Sequence, residues 1–270
     1  MGRYDVPSTI NFILDKTGNE QVAYVGFSQG TSQMFYGASV MFSYYREKVS
    51  VFVALGPCGA IPNSKTPLIQ TAGDNRKTLE YVTHTLSIYE LKGPDWLEAS
   101  STYYLCNFFP EFCEDLKSFG QLQSPEFDNT ARFNVWRYHN FDSGSSVMAL
   151  LHFAQNLKSG EFETYDRPTG NHWYDMYWSR RRGDKIPVES IQIPVALFIG
   201  AQDILCPPQD IKKLAKRIPN IIHEKEYPGA HSTFFVGNNM NYMNEVMKIL
   251  YEYQPLAPRN QATPFEDTES

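Results

Sequence analysis

A serine between two glycines is the residue of this sequence best suited to carry out chemistry. Gly26-Phe27-Ser28-Gln29-Gly30 matches the G-x-S-x-G pattern of a nucleophile elbow, a sharp turn from strand to helix that exposes the serine hydroxyl. Side chains at the two glycine positions are expected to collide where the strand and the helix pack together. The motif therefore predicts that Ser28 is the nucleophile of an acyl transfer reaction.

A serine hydroxyl is a weak nucleophile until a histidine accepts its proton and a carboxylate orients that histidine. Asp203 follows a predicted strand that ends at Gly200, and His231 lies in the loop after another strand that ends near Glu226. Both residues therefore fall at the carboxyl ends of predicted strands, where the ligand sites of open α/β sheets lie. The sequence predicts a catalytic triad of Ser28, Asp203 and His231.

The other acids and histidines have simpler structural interpretations. Asp210 falls in the first turn of a predicted helix, where its charge favours the helix dipole, and Asp184 lies outside the predicted sheet. His223 falls inside a predicted strand. The other four histidines lie in a segment that is predicted below to be an insertion, and they are interpreted as structural or surface residues: His84, His139, His152 and His172.

Acyl transfer also needs backbone donors that stabilise the oxyanion. The N–H group of Gln29, the residue after the nucleophile, is predicted to be the first donor. The second donor should come from a loop after an earlier strand, and the sequence shows only one helix and one strand before Ser28. Because the loss of one oxyanion donor costs ~10²–10³ in rate, we expect this chain alone to be weakly active.

The elements that must position these residues follow the order of a parallel sheet with helices on both faces. Apolar residues at helical spacing predict a helix over 5–16, and an apolar run bounded by glycine predicts a buried strand over 21–26. The remaining predicted elements of this alternation are a helix over 29–40, strands over 48–55 and 193–200, a helix over 208–217, a strand over 221–226 and a last helix within 234–253.

These elements divide the chain into a catalytic core in two parts, an insertion and a tail. Residues 1–57 are predicted to form the part with the elbow, and residues 188–254 the part with the acid and the histidine. Residues 58–187 are irregular and aromatic, with a predicted helix over 146–157 and no clear strand, and are predicted to form a largely helical cap. Residues 255–270 are predicted to be a disordered tail.

Composition excludes several kinds of partner. The 270 residues carry a net charge of −6, which leaves no basic excess to neutralise a nucleic acid backbone. No apolar run reaches the ~18 residues that a membrane span needs, and the first residues lack the pattern of a secretory signal. Aromatic residues make up 14% of the chain, a proportion that fits either a ring-rich core or a surface that meets lipid.

Four cysteines, Cys58, Cys106, Cys113 and Cys206, are too few and too scattered to predict a disulfide scaffold. Cys106 and Cys113 either pair locally or are buried thiols. No two cysteines have C-x-x-C spacing, so a zinc site is not predicted. The mechanism of a serine, histidine and aspartate triad needs no metal or organic cofactor, and none is expected.

Five stretches of the chain carry a further signal. They are Tyr4–Ile10, Tyr24–Thr31, Asn156–Phe162 with Tyr165-Asp166, Asp203–Leu205 with Pro208–Asp210, and His231. Together they resemble the acid lipases, the group that contains gastric and lysosomal acid lipase. The resemblance implies an α/β-hydrolase fold and hydrolysis of lipid esters, either triacylglycerols or steryl esters. It also implies a cap with a lid around residues 89–112 that contacts a lipid surface, and a secreted or lysosomal location.

The chain departs from the acid lipase pattern in three ways. Phe27 stands where many members carry histidine, and Cys106 and Cys113 match the usual cap disulfide only loosely. The chain also begins where members of the group are already within their catalytic domain. We therefore expect a fragment whose sheet lacks several N-terminal strands.

Two alternatives to a lipid ester hydrolase stay open. One is a lipid-binding or regulatory remnant that keeps the triad without a complete oxyanion site. The other is an esterase for small esters, or a thioesterase, with the same fold, because fold alone does not decide the substrate.

Overall fold

The computed structural model describes residues 1–91, 126–129, 131–132, 144–166 and 182–254. Nearly all of the predicted lid, the predicted tail, and both Cys106 and Cys113 lie outside these described residues. The described residues form a four-stranded parallel sheet with helices on both faces and a small antiparallel pair of strands.

The elements before the middle of the chain are α1 (Asp5–Thr17), β1 (Val22–Phe27), α2 (Gln29–Val40), α3 (Phe42–Lys48), β2 (Val49–Leu55), α4 (Pro67–Asp74), α5 (Arg76–Thr85) and β3 (Glu90–Leu91). The later elements are β4 (Ser145–Ser146), α6 (Val147–Ser159), a 3₁₀ turn (Val188–Ser190), β5 (Val195–Gly200), α7 (Pro208–Ala215), β6 (Ile221–Tyr227), α8 (Thr233–Val236) and α9 (Tyr242–Tyr253).

The sheet has the strand order β1-β2-β5-β6, and every neighbouring pair is parallel. In the register of the central pair, Phe52 lies beside Val195 and Leu55 beside Phe198. β5 is buried along its whole length, and β2 is buried except at the half-buried Ser50. Because both faces of a central parallel strand are covered, these strands are nearly continuous apolar runs rather than alternating ones.

Alternate side chains of the central strands pack into two separate cores. Phe52 and Leu197 belong to the core that also contains side chains of α1, α2, α6 and α7. Val53 and Phe198 belong to the core on the opposite face, which contains side chains of α8 and α9. The fold is therefore a three-layer arrangement of helices, sheet and helices, as the order of predicted elements indicated.

β1 and β6 lie at the two edges of the sheet that the structure describes. Val25 on β1 is 47% exposed, so this apolar strand is only partly covered although the sequence predicted a buried one. β6 carries exposed charged residues at Glu224–Glu226, which are typical of an edge strand. The apolar strands β2 and β5 are therefore buried in the middle of the sheet, and the charged strand β6 lies at its edge.

Several elements differ from the sequence prediction. α3 was not predicted, and it is separated from α2 at Met41, whose φ of −123° is not helical. The predicted last helix is divided into α8 and α9. α7 ends at Ala215 rather than Arg217, because the Arg217 and Ile218 amides donate to carbonyls three residues earlier and tighten the final turn.

The described parts of residues 58–187 contribute no strand to the four-stranded sheet. They contain α4, α5, α6 and the two-residue strands β3 and β4, a pair that the sequence did not predict. Arg76 on α5 forms an ion pair with Asp166, with 2.9 Å between Nη2 and Oδ2. The boundaries of a cap domain stay a prediction. Among the described residues, every helix is too short or too polar to cross a membrane.

Candidate active site

Ser28 occupies the turn between the end of β1 and the start of α2. Its φ of 52° and ψ of −121° are a conformation that side chains rarely adopt and that costs about 1–3 kcal/mol. The surrounding hydrogen bonds hold this turn. The Ser28 amide donates to the Leu55 carbonyl at 3.1 Å, and the Ser28 carbonyl accepts from the Thr31 hydroxyl at 2.6 Å and from the Thr31 amide at 2.9 Å.

The two glycines of the elbow have different surroundings. A Cβ atom on Gly26 would lie 2.8 Å from Cε1 of Tyr24 and 3.1 Å from the Gly30 carbonyl carbon, so a side chain there would collide as predicted. A Cβ atom on Gly30 would meet only the Tyr24 hydroxyl, at an ordinary distance of 3.7 Å. The prediction that packing requires glycine at both positions is therefore right for Gly26 and wrong for Gly30.

The three side chains predicted as a triad lie in one hydrogen-bonded row. Nε2 of His231 is 2.8 Å from Oγ of Ser28, and Nδ1 of His231 is 2.6 Å from Oδ2 of Asp203. His231 and Asp203 are each only 3% exposed. In this geometry a neutral imidazole donates its Nδ1 proton to Asp203, which leaves Nε2 to accept the Ser28 proton.

Asp203 is fixed by the loop that follows β5. Its Oδ1 accepts hydrogen bonds from the Leu205 and Cys206 amides, each at 2.9 Å. Its Oδ2 accepts from His231. The two oxygens thus have separate tasks, because one holds the carboxylate in its loop and the other orients the imidazole.

His231 lies in the loop between β6 and α8, and its ring is closely surrounded. The Phe27 ring is 4.8 Å away between centroids. Gly56, at the end of β2, has a φ of +50°, and a Cβ atom there would lie 3.3 Å from Cε1 and 3.4 Å from Nδ1 of His231. The absence of a side chain at Gly56 therefore makes room for the imidazole.

The rival acids and histidines have other contacts. Asp210 lies in the first turn of α7, as predicted, but it is buried and accepts hydrogen bonds from the Asn63 amide at 3.0 Å and side chain at 2.6 Å. His223 stacks on Phe198 with 4.6 Å between ring centroids. Nε2 of His152 lies 2.7 Å from the Glu163 carbonyl, and burial lowers the pKa of this histidine.

A disulfide joins Cys58 and Cys206, which are 148 positions apart in the chain. This link was not predicted from the sequence. A usable signal was present, since each cysteine follows closely after a predicted strand and the ends of parallel strands meet at one edge of the sheet. The Cys58 amide donates to the Thr31 hydroxyl at 2.9 Å, and the Cys206 amide donates to Asp203. The disulfide therefore connects the surroundings of Ser28 with the loop that holds Asp203.

Cys58, Cys206 and His231 bring potential metal ligand atoms within 4.8 Å of one another. Metal ions bind the thiolate form of cysteine, and the disulfide engages both sulfur atoms of this group. As long as the disulfide is intact, these residues lack the donors that a zinc site needs.

Gln29 is the first residue of α2, where backbone N–H groups have no acceptor within the helix. The predicted oxyanion donor therefore lies at the positive end of the helix dipole. A cavity of about 460 Å³ adjoins Gln29 between α2 and α6. Its lining is largely apolar and includes Tyr36, Met148, Phe153 and Phe162.

Two residues that contact the site were missed by the sequence analysis. Thr31 links the Ser28 carbonyl to the Cys58 amide, and its place just after the elbow motif was the available signal. Asp128 accepts hydrogen bonds from Ser232 and Thr233, which directly follow His231. No pattern in the sequence near Asp128 indicates this contact.

Comparisons with known proteins agree with the fold. The sequence profile of a family described as "alpha/beta hydrolase fold" matches residues 2–238. A crystal structure of a monoacylglycerol lipase from Paleococcus ferrophilus is similar with a TM-score of 0.50 and 15% identity, over 92% of this chain and 73% of that chain. At this identity the similarity shows the fold alone.

Curated relatives confirm the resemblance to the acid lipases. The chain is 31% identical to human gastric triacylglycerol lipase over 245 residues, which are 84% of this chain and 56% of the relative. It is 29% identical to mouse Lipase member K over 254 residues, which are 88% of this chain and 59% of the relative. The chain thus spans less than two thirds of the length of these relatives. The family profile matches most of the residues of this chain. The chain therefore belongs to the family of proteins with the alpha/beta hydrolase fold.

Proposed function

We propose that this protein hydrolyses carboxylic esters of lipids through an acyl-enzyme on Ser28. The observation that carries the proposal is the hydrogen-bonded row from Oγ of Ser28 through the His231 imidazole to Asp203. Such a row activates a hydroxyl that is otherwise a weak nucleophile at neutral pH.

In the proposed first step, Nε2 of His231 accepts the Ser28 proton while Oγ bonds to the ester carbonyl carbon. The carbonyl oxygen gains negative charge, and the Gln29 N–H group stabilises it at the start of α2. The tetrahedral intermediate then collapses. The bond to the alcohol oxygen breaks, and the leaving alcohol takes the proton from His231.

In the second step, water replaces the alcohol. His231 accepts a proton from the water as its oxygen bonds to the acyl carbon, and the acid is released when the Ser28 ester bond breaks and Oγ recovers a proton. Asp203 stays ionised and stabilises the imidazolium in both steps. The sequence of steps needs no metal or organic cofactor.

Two features support a lipid substrate. The two relatives described above are lipases, and one of these two is named for triacylglycerol. The largely apolar cavity reaches Gln29, the neighbour of Ser28, but its lining does not include Ser28 or His231. Its lining suits a bulky acyl chain better than a short polar one. We propose a triacylglycerol or a steryl ester as the substrate, with contact between the predicted cap and the lipid surface.

The disulfide also bears on location. Disulfides form and persist in secretory compartments and outside the cell, and they are rare in the reducing cytosol. The link between Cys58 and Cys206 is therefore in keeping with the proposed secreted or lysosomal location.

Turnover of emulsified trioleoylglycerol and cholesteryl oleate, compared with p-nitrophenyl acetate, tests the proposal. We expect hydrolysis of a long-chain ester that is lost in Ser28→Ala and unchanged by a metal chelator. Preference for the short ester would indicate a small-ester esterase. Lipid binding without turnover of any ester, from a folded sample, would contradict the proposed hydrolase and favour a non-catalytic role.

A further inference from the structure

A buried carboxylate outside the predicted triad contacts both residues that follow His231. Asp128 is 6% exposed. Its Oδ2 accepts a hydrogen bond from the Ser232 hydroxyl at 3.0 Å, and its Oδ1 accepts one from the Thr233 hydroxyl at 2.6 Å. The Thr233 contact has the length of a charge-assisted hydrogen bond, and the Ser232 contact is longer. The two hydroxyls are therefore held firmly on one carboxylate.

The same contact extends to the residue before His231. The Thr233 hydroxyl accepts from the Ala230 amide at 2.9 Å while it donates to Asp128. A continuous path thus runs from the Ala230 backbone through Thr233 to Asp128. Ala230 precedes His231 and Thr233 follows it, so these hydrogen bonds fix the chain on both sides of the histidine.

The backbone around Asp128 is also attached to this part of the fold. The Phe127 carbonyl accepts from the Asn238 amide, and the Asn129 amide donates to the Val236 carbonyl, each at 2.7 Å. Asp128 itself forms an isolated bridge with Gly237. Residues 127–129 therefore pack along α8 and the loop after it, and the Asp128 side chain bonds the two residues that follow His231.

The position of His231 depends on this loop, because β6 ends at Tyr227 and α8 begins at Thr233. Proton transfer requires Nε2 to stay within hydrogen-bond distance of Ser28, and an error of about 1 Å costs ~10²-fold in rate. Asp203 orients the ring from its Nδ1 side. Asp128 instead binds the Ser232 and Thr233 hydroxyls and, through Thr233, is linked to the Ala230 amide.

We propose that Asp128 is a positioning residue for the proposed reaction, and that it holds the loop so that the His231 imidazole bridges Ser28 and Asp203. The inference rests on the proposed function for its effect on rate. Its effect on the imidazole does not depend on turnover, so the two proposals are tested separately.

The first test observes the imidazole directly. A proton on Nδ1 of a histidine bonded to a carboxylate gives a far downfield ¹H NMR signal, which is assigned to His231 by its loss in His231→Gln. We expect this signal to shift upfield or broaden in Asp128→Ala, and less so in Asp128→Asn, whose amide keeps one acceptor oxygen. Asp74→Asn is the matched control, because Asp74 is an exposed carboxylate paired with Lys158, and it should leave the signal unchanged.

The second test measures the rate at which a fluorophosphonate reacts with Ser28 across pH. Asp128→Ala should react about 10- to 100-fold more slowly, with an altered pH profile, whereas Asp74→Asn should follow the wild type. A purely structural role would lower the reactive fraction and leave the profile of the folded molecules unchanged. Thr233→Val, which removes the hydroxyl and keeps the side-chain shape, should reproduce part of the effect. The double variant Asp128→Ala/Thr233→Val should react about as slowly as Asp128→Ala alone.

The outcomes separate the two proposals. A wild-type chain that does not react with the probe would contradict the proposed function, and the NMR signal would still decide the role of Asp128. An unchanged His231 signal in folded Asp128→Ala would overturn the positioning role even if the wild type reacts. If Asp128→Ala does not fold, Asp128→Asn and Thr233→Val decide the question by the same two measurements.

Discussion

At the residue scale, the reacting atoms are held by close contacts that leave little space for change. Ser28 has a strained backbone, and its carbonyl is engaged by Thr31. The His231 ring packs beside the Phe27 ring, and the backbone of Gly56 approaches both rings. The position of the imidazole therefore depends on Gly56 and Phe27 as well as on Asp203.

Gly56→Ala tests this dependence. The new methyl group would lie 3.3 Å from the His231 ring and 3.2 Å from the Phe27 ring, and the φ of +50° disfavours any side chain by about 1–2 kcal/mol. We expect a lower free energy of unfolding and a reaction of Ser28 with fluorophosphonate that is about 10-fold slower or more. Urea unfolding and labelling kinetics measure the two effects.

Gly18→Ala is the control for Gly56→Ala. Gly18 ends α1 with a φ of +69°, and a Cβ atom there meets nothing within 4 Å. It should show a similar loss of stability and wild-type labelling. Equal labelling rates in the two variants would show that contact with the imidazole is unimportant.

The candidate residues Ser28, Asp203 and His231 were predictable because a local motif and the ends of predicted strands mark them. Their roles stay a prediction, although the structure brings them into one row. Thr31 and Asp128 act through side-chain contacts that depend on the folded geometry. Asp128 bonds Ser232 and Thr233, which lie 104 and 105 positions further along the chain. No local sequence pattern indicates contacts over such a separation.

At the element scale, the buried strands were the most predictable part of the fold. β2 and β5 are apolar on both faces, so their runs of valine, leucine and phenylalanine indicate strands without ambiguity. The small pair β3 and β4 was missed because two-residue strands carry no periodicity. α3 was missed because nothing in the sequence near Met41 marks the break that separates it from α2.

Acid should destabilise the helix α6 and its neighbours through His152. Burial lowers the pKa of His152, which means that the folded state binds its proton less readily than the unfolded state does. The stability from the neutral histidine is therefore present above the ordinary pKa of about 6.5 and is lost as the pH falls below it. We expect the midpoint of thermal unfolding to fall less between pH 7.5 and pH 5 in His152→Gln than in the wild type.

An identical fall in the midpoint for wild type and His152→Gln would contradict the assignment of this acid sensitivity to His152.

At the scale of the whole molecule, the disulfide between Cys58 and Cys206 joins parts of the chain that are 148 positions apart. Cys58 follows β2 and Cys206 follows β5, so the bond closes a large loop that includes all of residues 58–187. A link over such a separation restricts the unfolded chain, which raises the stability of the folded state. The pairing was not predicted from the sequence because cysteine spacing alone does not reveal which strand ends are neighbours.

Removing this link should lower stability. We expect Cys58→Ala/Cys206→Ala to reduce the free energy of unfolding in urea by about 2 to 5 kcal/mol. The wild type with a phosphine reductant should show a similar change, and the double variant should not respond further through this pair. Peptide mapping without reductant should recover the two cysteines in one linked peptide. Unlinked peptides, or a double variant as stable as the wild type, would refute the prediction.

The most direct test of the proposed acyl-enzyme mechanism is labelling of the purified chain with a fluorophosphonate, followed by peptide mass spectrometry. The account predicts one label per molecule on the peptide that contains Ser28, no label in Ser28→Ala, and strongly slowed labelling in His231→Gln. A folded chain that takes up no label, or that takes it up at another residue, would contradict the central claim that Ser28 is an activated nucleophile.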